Sequence, residues 1–371
     1  MKEYLEIAES LSTDLREVCQ FLYTHPELGL EEYKGSAFLV DFLRKHGFDV
    51  EYPYGGLKTA FCAKRNPDES RRKIAVFAEY DALAKLGHAC GHNLIATAGV
   101  CAACVAAEYA ERHNLAMNLR CIGTPGEESH SGKGMLLRNG AFDGIEIAIM
   151  AHPWGVTATD GGALGVARGF IEFHGRAAHA AQAPELGINA LDAMMYFYMD
   201  VLDWKKTILP SERVHGIVTN GGAAANIIPD FTQAFFYVRS RDVQRLELLK
   251  QMLEKSAAVA CKKTGCTGGV RWENQDLPIK RDEALNEMYA RFWKEAGKEI
   301  LIFKGDENMT STDMGTVTQS IRGDQFFFSI TNEQPAVLHT EEFQKAAGTD
   351  EAFKMAVKTG AVMAKILVEN R

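Results

Sequence analysis

Leu5, Ile7, Ala8, Leu11, Leu15, Val18 and Leu22 recur at spacings mostly of three and four, with Asp14 and Glu17 on the polar side. That period predicts an amphipathic helix at the start of the chain. A second helix is expected over 34–45, stopping at Gly47. Short apolar runs rich in Ile, Val and Phe follow, at 73–80 (KIAVFAEY), 119–123 (LRCIG) and 145–151 (IEIAIMA). An Ala-rich helical stretch over 94–112 separates the first two runs, and a short helix over 133–138 separates the second pair. Strand alternating with helix is the signature of an α/β sheet with parallel members.

Near residue 165 the texture changes, where Gly161, Gly162, Gly165 and Gly169 punctuate the chain. The next stretch reads as strand 166–174, helix 187–204, strand 214–219, strand 231–240, helix 243–261 and strand 269–272. The order βαββαβ is the ferredoxin-like split motif, which is compact enough to fold as an insert. From about 278 the α/β texture resumes, with helix 282–296, strand 325–330 and a closing helix 349–367. The expected organisation is a catalytic α/β domain over 1–164 and 278–371, interrupted by an α+β domain over 165–277.

Composition narrows the class. A length of 371 residues favours two domains. Lys plus Arg number 41 against 49 Asp plus Glu, a net charge of −8 that disfavours a phosphate-binding nucleic-acid partner. No apolar run is expected to cross a bilayer, and the charged start MKEYLEIAES is unlike an export signal. Eight scattered Cys then read as reduced thiols or metal ligands, and the expected location is cytoplasmic.

Ligands in open α/β sheets collect at the carboxyl ends of the strands. After the first apolar run come Glu79, Asp81 and Gly87-His88-Ala89-Cys90-Gly91-His92-Asn93; after the second, Thr124-Pro125-Gly126-Glu127-Glu128; after the third, His152 and Pro153. Carboxylate, thiol and imidazole thus converge on one sheet edge. Cys90-Gly91-His92 can aim a thiolate and an imidazole at one ion, with Gly91 freeing the turn. Alone it reads equally as a buried Cys beside a capping residue, and the neighbouring Glu127, Glu128 and His152 tip it towards metal. Two adjacent carboxylates at a sheet edge are unfavourable unless something positive binds or one keeps its proton. A metal hydrolase uses both effects, although a lone Glu-Glu pair is commonly a solvated loop. His152, alone, is as readily a core histidine as a ligand. His339 is the only His after His215, so an imidazole ligand from the final segment would be this one; otherwise it is a surface loop residue.

Two motifs fail. The stretch 126–134 (GEESHSGKG) resembles a phosphate loop, but five residues separate Gly126 from Gly132 and Gly134 replaces the required Ser or Thr. Cys101 and Cys104 form C-x-x-C inside the Ala-rich helix and read as small core residues.

AEYDAL (78–83), GHACGHNLIA (87–96), GTPGEE (123–128) and AHP (151–153) resemble the dinuclear metallo-amidohydrolases and aminoacylases of the M20 peptidase family. FHGRAAHAAQAPELGINALDA (173–193), NIIPD (226–230), STDMG (311–315) and HPELGLEE (25–32) extend the match over nearly the whole chain. Within the family the chain looks like the subgroup of aminobenzoyl-glutamate hydrolase subunits and dipeptidase-like aminoacylase homologues. The resemblance implies a zinc-exopeptidase-like catalytic domain with a mixed, largely parallel sheet and an inserted ferredoxin-like lid or dimerisation domain. It implies five ligands for two divalent metals. Cys90 would bridge, His92 and His152 would complete one site, and Glu128 and His339 the other. It also implies Glu127 as general base on a metal-bridging water and His179, from the lid, as oxyanion donor. Asn226 and Arg239 would hold the substrate carboxylate or carbonyl. The chain departs from relatives at Gly126, often Ala, and at Ser129-His130-Ser131, often Gly-rich, which places His130 at the site or its mouth. Glu79 stands where more distant relatives carry a ligand His.

The expected activity is metal-dependent hydrolysis of an amide in an N-acyl amino acid or related small carboxylate-bearing amide. Thiolate with imidazole and carboxylate suits zinc first, with manganese or cobalt as alternatives. The expected partners are a small amide substrate and a second copy of the chain through the lid, with neither nucleic acid nor membrane. The rival readings are a dipeptidase or exopeptidase of the same mechanism, and a silent metal-binding homologue within a complex.

Overall fold

A computed structural model describes residues 1–331 and 337–371. The chain forms two compact units: unit 1 comprises Met1–Gly162, Ile279–Met309 and Asp313–Arg371, and unit 2 comprises Ala163–Pro278 and Thr310–Thr312. Unit 1 opens with α1 (Lys2–Ser10), α2 (Ser12–Thr24) and α3 (Tyr33–Lys45). The single first helix expected from periodicity is therefore two. The Ser10 hydroxyl bonds back to Ile7 O at 2.7 Å just before the break at Leu11, offering the backbone an alternative to the helical ladder. Next come β1 (Asp49–Glu51), β2 (Phe61–Lys64), β3 (Lys73–Ala78), α4 (His92–Arg112), β4 (Asn118–Gly123), α5 (Glu127–His130), α6 (Gly132–Arg138) and β5 (Ile145–Trp154).

Unit 2 follows with β6 (Gly165–His174), β7 (Ala178–His179), α7 (Ala190–Trp204), β8 (Arg213–Asn220), β9 (Ile227–Ile228), β10 (Phe231–Ser240), α8 (Val243–Thr264) and β11 (Thr267–Asp276). Its four long strands are antiparallel in the order β11-β6-β10-β8, which in chain order is 4-1-3-2, the ferredoxin-like arrangement. Alternate residues of β10 point inward (Thr232, Ala234, Phe236, Val238) and meet Phe197 of α7 and Leu246, Leu249 and Leu253 of α8.

Unit 1 resumes with α9 (Glu283–Glu295), α10 (Met314–Thr318), β12 (Arg322–Ser329), α11 (Glu341–Ala347) and α12 (Asp350–Glu369). Its sheet has the order β1-β2-β4-β3-β5-β12, with β4, β3, β5 and β12 parallel and β1 and β2 antiparallel at one edge. Both faces are covered, with Ile74, Val76 and Ala78 in one core and Ala75 and Phe77 in the other. Each fully buried Phe or Ile contributes roughly 1.5–3 kcal/mol of burial. The third strand runs past 151 because β12 keeps pairing it, Phe327 opposite His152 and Ser329 opposite Trp154. His152 is thus a strand residue, not a residue after a strand. Contrary to the expectation that no apolar run is long enough, α4 is long and apolar enough to cross a membrane, yet it lies almost wholly buried in the unit 1 core. Cys101 and Cys104 are among its buried residues.

Candidate metal centre

Four chain segments of unit 1 bring the site together. The first leaves β3 with Glu79 and Asp81 and returns through Cys90 to His92, the first residue of α4. Gly91 between them has φ +76°, and a Cβ there would lie 2.5 Å from Pro153 Cγ, so only glycine fits both the backbone and the space. The second leaves β4 through Gly126, whose N–H donates to Glu32 Oε1 at 2.8 Å, into the short α5 carrying Glu127 and Glu128. The third is β5 with His152. The fourth presents His339, whose N–H donates to Ala89 O at 2.9 Å.

Donor atoms of Cys90, His92 and His152 lie within 4.8 Å of one another, and so do those of Cys90, Glu128 and His339. Cys90 Sγ stands 3.6 Å from His152 Nε2, and Glu128 Oε1 stands 3.7 Å from His92 Nε2 and 3.5 Å from His339 Nε2. A third set joins Glu79, His92 and Glu127. His92 Nδ1 donates to Asp81 Oδ1 at 2.9 Å and His152 Nδ1 donates to Pro153 O at 2.7 Å. Each bond fixes the ring so that Nε2 turns to the cluster, as in histidines that bind metals. His92 Nε2 and Glu128 Oε1 are buried and make no hydrogen bond. Orphaned buried donors and acceptors of this kind call for a partner, and a thiol, two imidazoles and a carboxylate in reach of one another suit a divalent ion. The residues present fit the metals that the resemblance implies.

Electrostatics point the same way. Burial, and then the charge on His92, push His152 down to about 3, leaving a neutral imidazole. Burial opposes a charge on His92, but Glu79 and Asp81 outweigh it and raise its pKa well above the ordinary value. Burial drives the Cys90 thiol well up, and Glu128 adds to it; a thiolate there needs a cation beside it. Glu127 is raised well above the usual carboxyl range by burial and then by Glu79, Glu128 and Asp313. Burial pushes Glu128 up, but the neighbouring imidazoles of His339 and His92 prevail and the net shift is down.

Of the remaining site candidates, His179, Asn226 and Arg239 lie in unit 2 and His130 in unit 1. His179 sits on β7, paired with Ile227 of β9, and its Nδ1 accepts from the backbone N–H groups of Ala181 and Gln182 at 3.3 and 3.2 Å. The neutral ring therefore carries its proton on Nε2. Asn226 is exposed beside it, its carbonyl accepting from Ala180 N–H at 3.0 Å. Arg239 lies on β10 and donates from Nη1 to Ser311 Oγ at 2.7 Å. His130 is in α5, bonded to the adjacent Ser129 hydroxyl, and belongs to none of the three donor sets.

Sequence reasoning placed Asp81 at the sheet edge without giving it a role, and missed Glu32, Lys133 and Asp313 as parts of the site. Asp81 joins the His92 ring to the Glu128 N–H, which it accepts at 3.0 Å. Its signal was two carboxylates, Glu79 and Asp81, closing an apolar strand. Lys133 pairs with Glu79 and Asp313 beneath the cluster.

A mouse protein, Xaa-Arg dipeptidase, is 33% identical over 92% of this chain and 82% of its own length. The chain belongs to the M20 peptidase family. Residues 162–265 of this M20 chain match the peptidase dimerisation domain. One of the p-aminobenzoyl-glutamate hydrolase polypeptides of Escherichia coli is 30% identical over 69% of the chain and 57% of that protein. A dinuclear metal binding M20 peptidase from Bacillus subtilis has the same fold, with a TM-score of 0.75 and 19% identity over 98% of this chain and 99% of that one. This M20 chain is a metal-dependent amide hydrolase.

Proposed function

We propose that the protein hydrolyses the amide bond of an N-acyl amino acid or related small carboxylate-bearing amide, using two divalent ions held by Cys90, His92, His152, Glu128 and His339. The observation that carries this reading is that Cys90 Sγ belongs to two donor sets at once. Bound there, two ions would polarise a carbonyl oxygen and make water easier to ionise. Glu127 is the general base: its carboxylate takes a proton from the attacking water and returns it to the leaving nitrogen. Burial and its acidic neighbours raise its proton affinity, which suits a group that must release as well as accept. We assign His179, through Nε2–H, to the developing oxyanion, and Asn226 and Arg239 to the substrate carboxylate or carbonyl. Zinc is the first choice of ion for a site with a thiolate, manganese or cobalt the next.

Glu127→Gln should keep its metal and lose roughly 10²–10⁴-fold in turnover. Cys90→Ala should lose metal as well. Hydrolysis persisting in a metal-stripped sample would overturn the reading. A dipeptide substrate is the second reading, favoured by the mouse Xaa-Arg dipeptidase. A panel of acyl-amino acids against dipeptides separates the two.

The protein is proposed to act as a homodimer through unit 2. The dimerisation-domain match supports this, as do the exposed Met195, Tyr196, Met199 and Leu202 of α7 and Ile217 and Val218 of the edge strand β8. Eight free thiols support a reducing compartment, the cytoplasm.

A further inference from the structure

Lys133 is the next-to-last residue of the stretch that resembles a phosphate loop, yet its side chain is 0% exposed. The turn at 126–134 explains why. A Cβ on Gly132 would lie 1.6 Å from Pro125 O, so the chain can double back closely there and send the next side chain inward. Lys133 N–H donates to Asp313 Oδ2 at 2.8 Å and Nζ donates to Asp313 Oδ1 at 2.7 Å, so both ends of the residue hold one carboxylate. Nζ also donates to Glu79 Oε2. The other oxygen of Glu79, Oε1, lies 3.2 Å from His92 Nε2. Asp313 and Glu79 outweigh the cost of burial and keep Lys133 charged.

Beneath the two donor sets that share Cys90 there is thus a third, Glu79, His92 and Glu127, which borrows a ligand from one metal site and the base from the reaction. An ion bound there would take His92 Nε2 and Glu127 out of their roles. Buried charges must be paired or must coordinate a metal, and Glu79 already has its pair. We propose that Lys133 is a positioning residue that serves as the resident cation of the site: by holding Glu79 and Asp313 it keeps the Glu79–His92–Glu127 set from taking a metal ion. Glu127 stays available as base, and His92 stays available to the site with Cys90 and His152.

This rests on the two-metal reading, and the test separates the two. Zinc is titrated by calorimetry into the metal-stripped full-length protein, and bound zinc is counted by elemental analysis after gel filtration, with circular dichroism to check the fold. Wild type should take two ions per chain. Lys133→Met should take an additional ion and lose about 10²-fold in kcat with KM little changed, as expected when the base is sequestered. Lys133→Arg, which keeps the charge, and Lys133→Met/Glu79→Gln, which removes the freed carboxylate, should return to two. Should Lys133→Met not fold, Lys133→Met/Asp313→Asn removes one cation and one anion together and still frees Glu79; it too should take the extra ion. Folded variants that bind two ions with wild-type affinity would overturn the inference and leave the two-metal reading standing. Wild type taking up no zinc would overturn both.

Discussion

Asp81 couples two proposed ligands that are 36 residues apart in the chain. One carboxylate oxygen accepts His92 Nδ1–H at 2.9 Å and the other accepts Glu128 N–H at 3.0 Å, and the side chain is closed to solvent. Asp81→Asn keeps the shape and removes one acceptor. Whichever way the amide is turned, its NH2 faces either the ring N–H or the backbone N–H, and no water can take over. A buried donor left unsatisfied costs about 1–3 kcal/mol. Loss of a residue that orients a ligand histidine costs about 10–100-fold in metal affinity, equivalent to about 1.4–2.8 kcal/mol. Competition for zinc with a chromophoric chelator at fixed pH should show Kd rising by that factor while circular dichroism is unchanged. A Kd within about twofold of wild type would refute the view that Asp81 sets the direction of His92.

Stripping the metals should lower the melting temperature, because His92 Nε2 and Glu128 Oε1 are left buried without a hydrogen bond. Returning zinc at about 100 times its Kd should restore about 2.7 kcal/mol for each ion bound, read by chemical denaturation. Unit 2 should lose stability in acid through Glu212. Burial raises this carboxyl, but the fork from Arg245, at 2.6 and 3.0 Å, prevails and the net shift is down. A lowered folded pKa means that the stabilisation is present above the ordinary Glu pKa and is lost as pH falls through the lower folded value. Thermal melts from neutral to acidic pH should show this loss and a flatter profile for Arg245→Met. Parallel profiles would remove Glu212 as its source.

Which residues reach the sheet edge was legible because strand ends follow from the apolar runs. Where each side chain points was not, because distant segments decide it. His88 and His92 flank Cys90 symmetrically, and locally only Gly91 in place of Ala89 separates them. The structure does so through Leu22, 66 positions away, whose carbonyl accepts from His88 Nε2 at 3.0 Å. Burial lowers His88 to about 4, so it stays a neutral packing residue, while His92 turns to Asp81 and Glu79. Lys133 shows the same limit. Read locally it completes a defective phosphate loop; its actual partner, Asp313, lies 180 positions on. The strands β1 and β2 escaped notice because three or four residues are too few to show a period. The inserted motif was plain because ten residues of β10 alternate without a break. Periodicity therefore locates elements whose burial is repeated along the chain. A site made of single side chains from separate strand ends has no period. Its residue types can be read from the sequence, but its pairings depend on contacts that only the folded chain brings about.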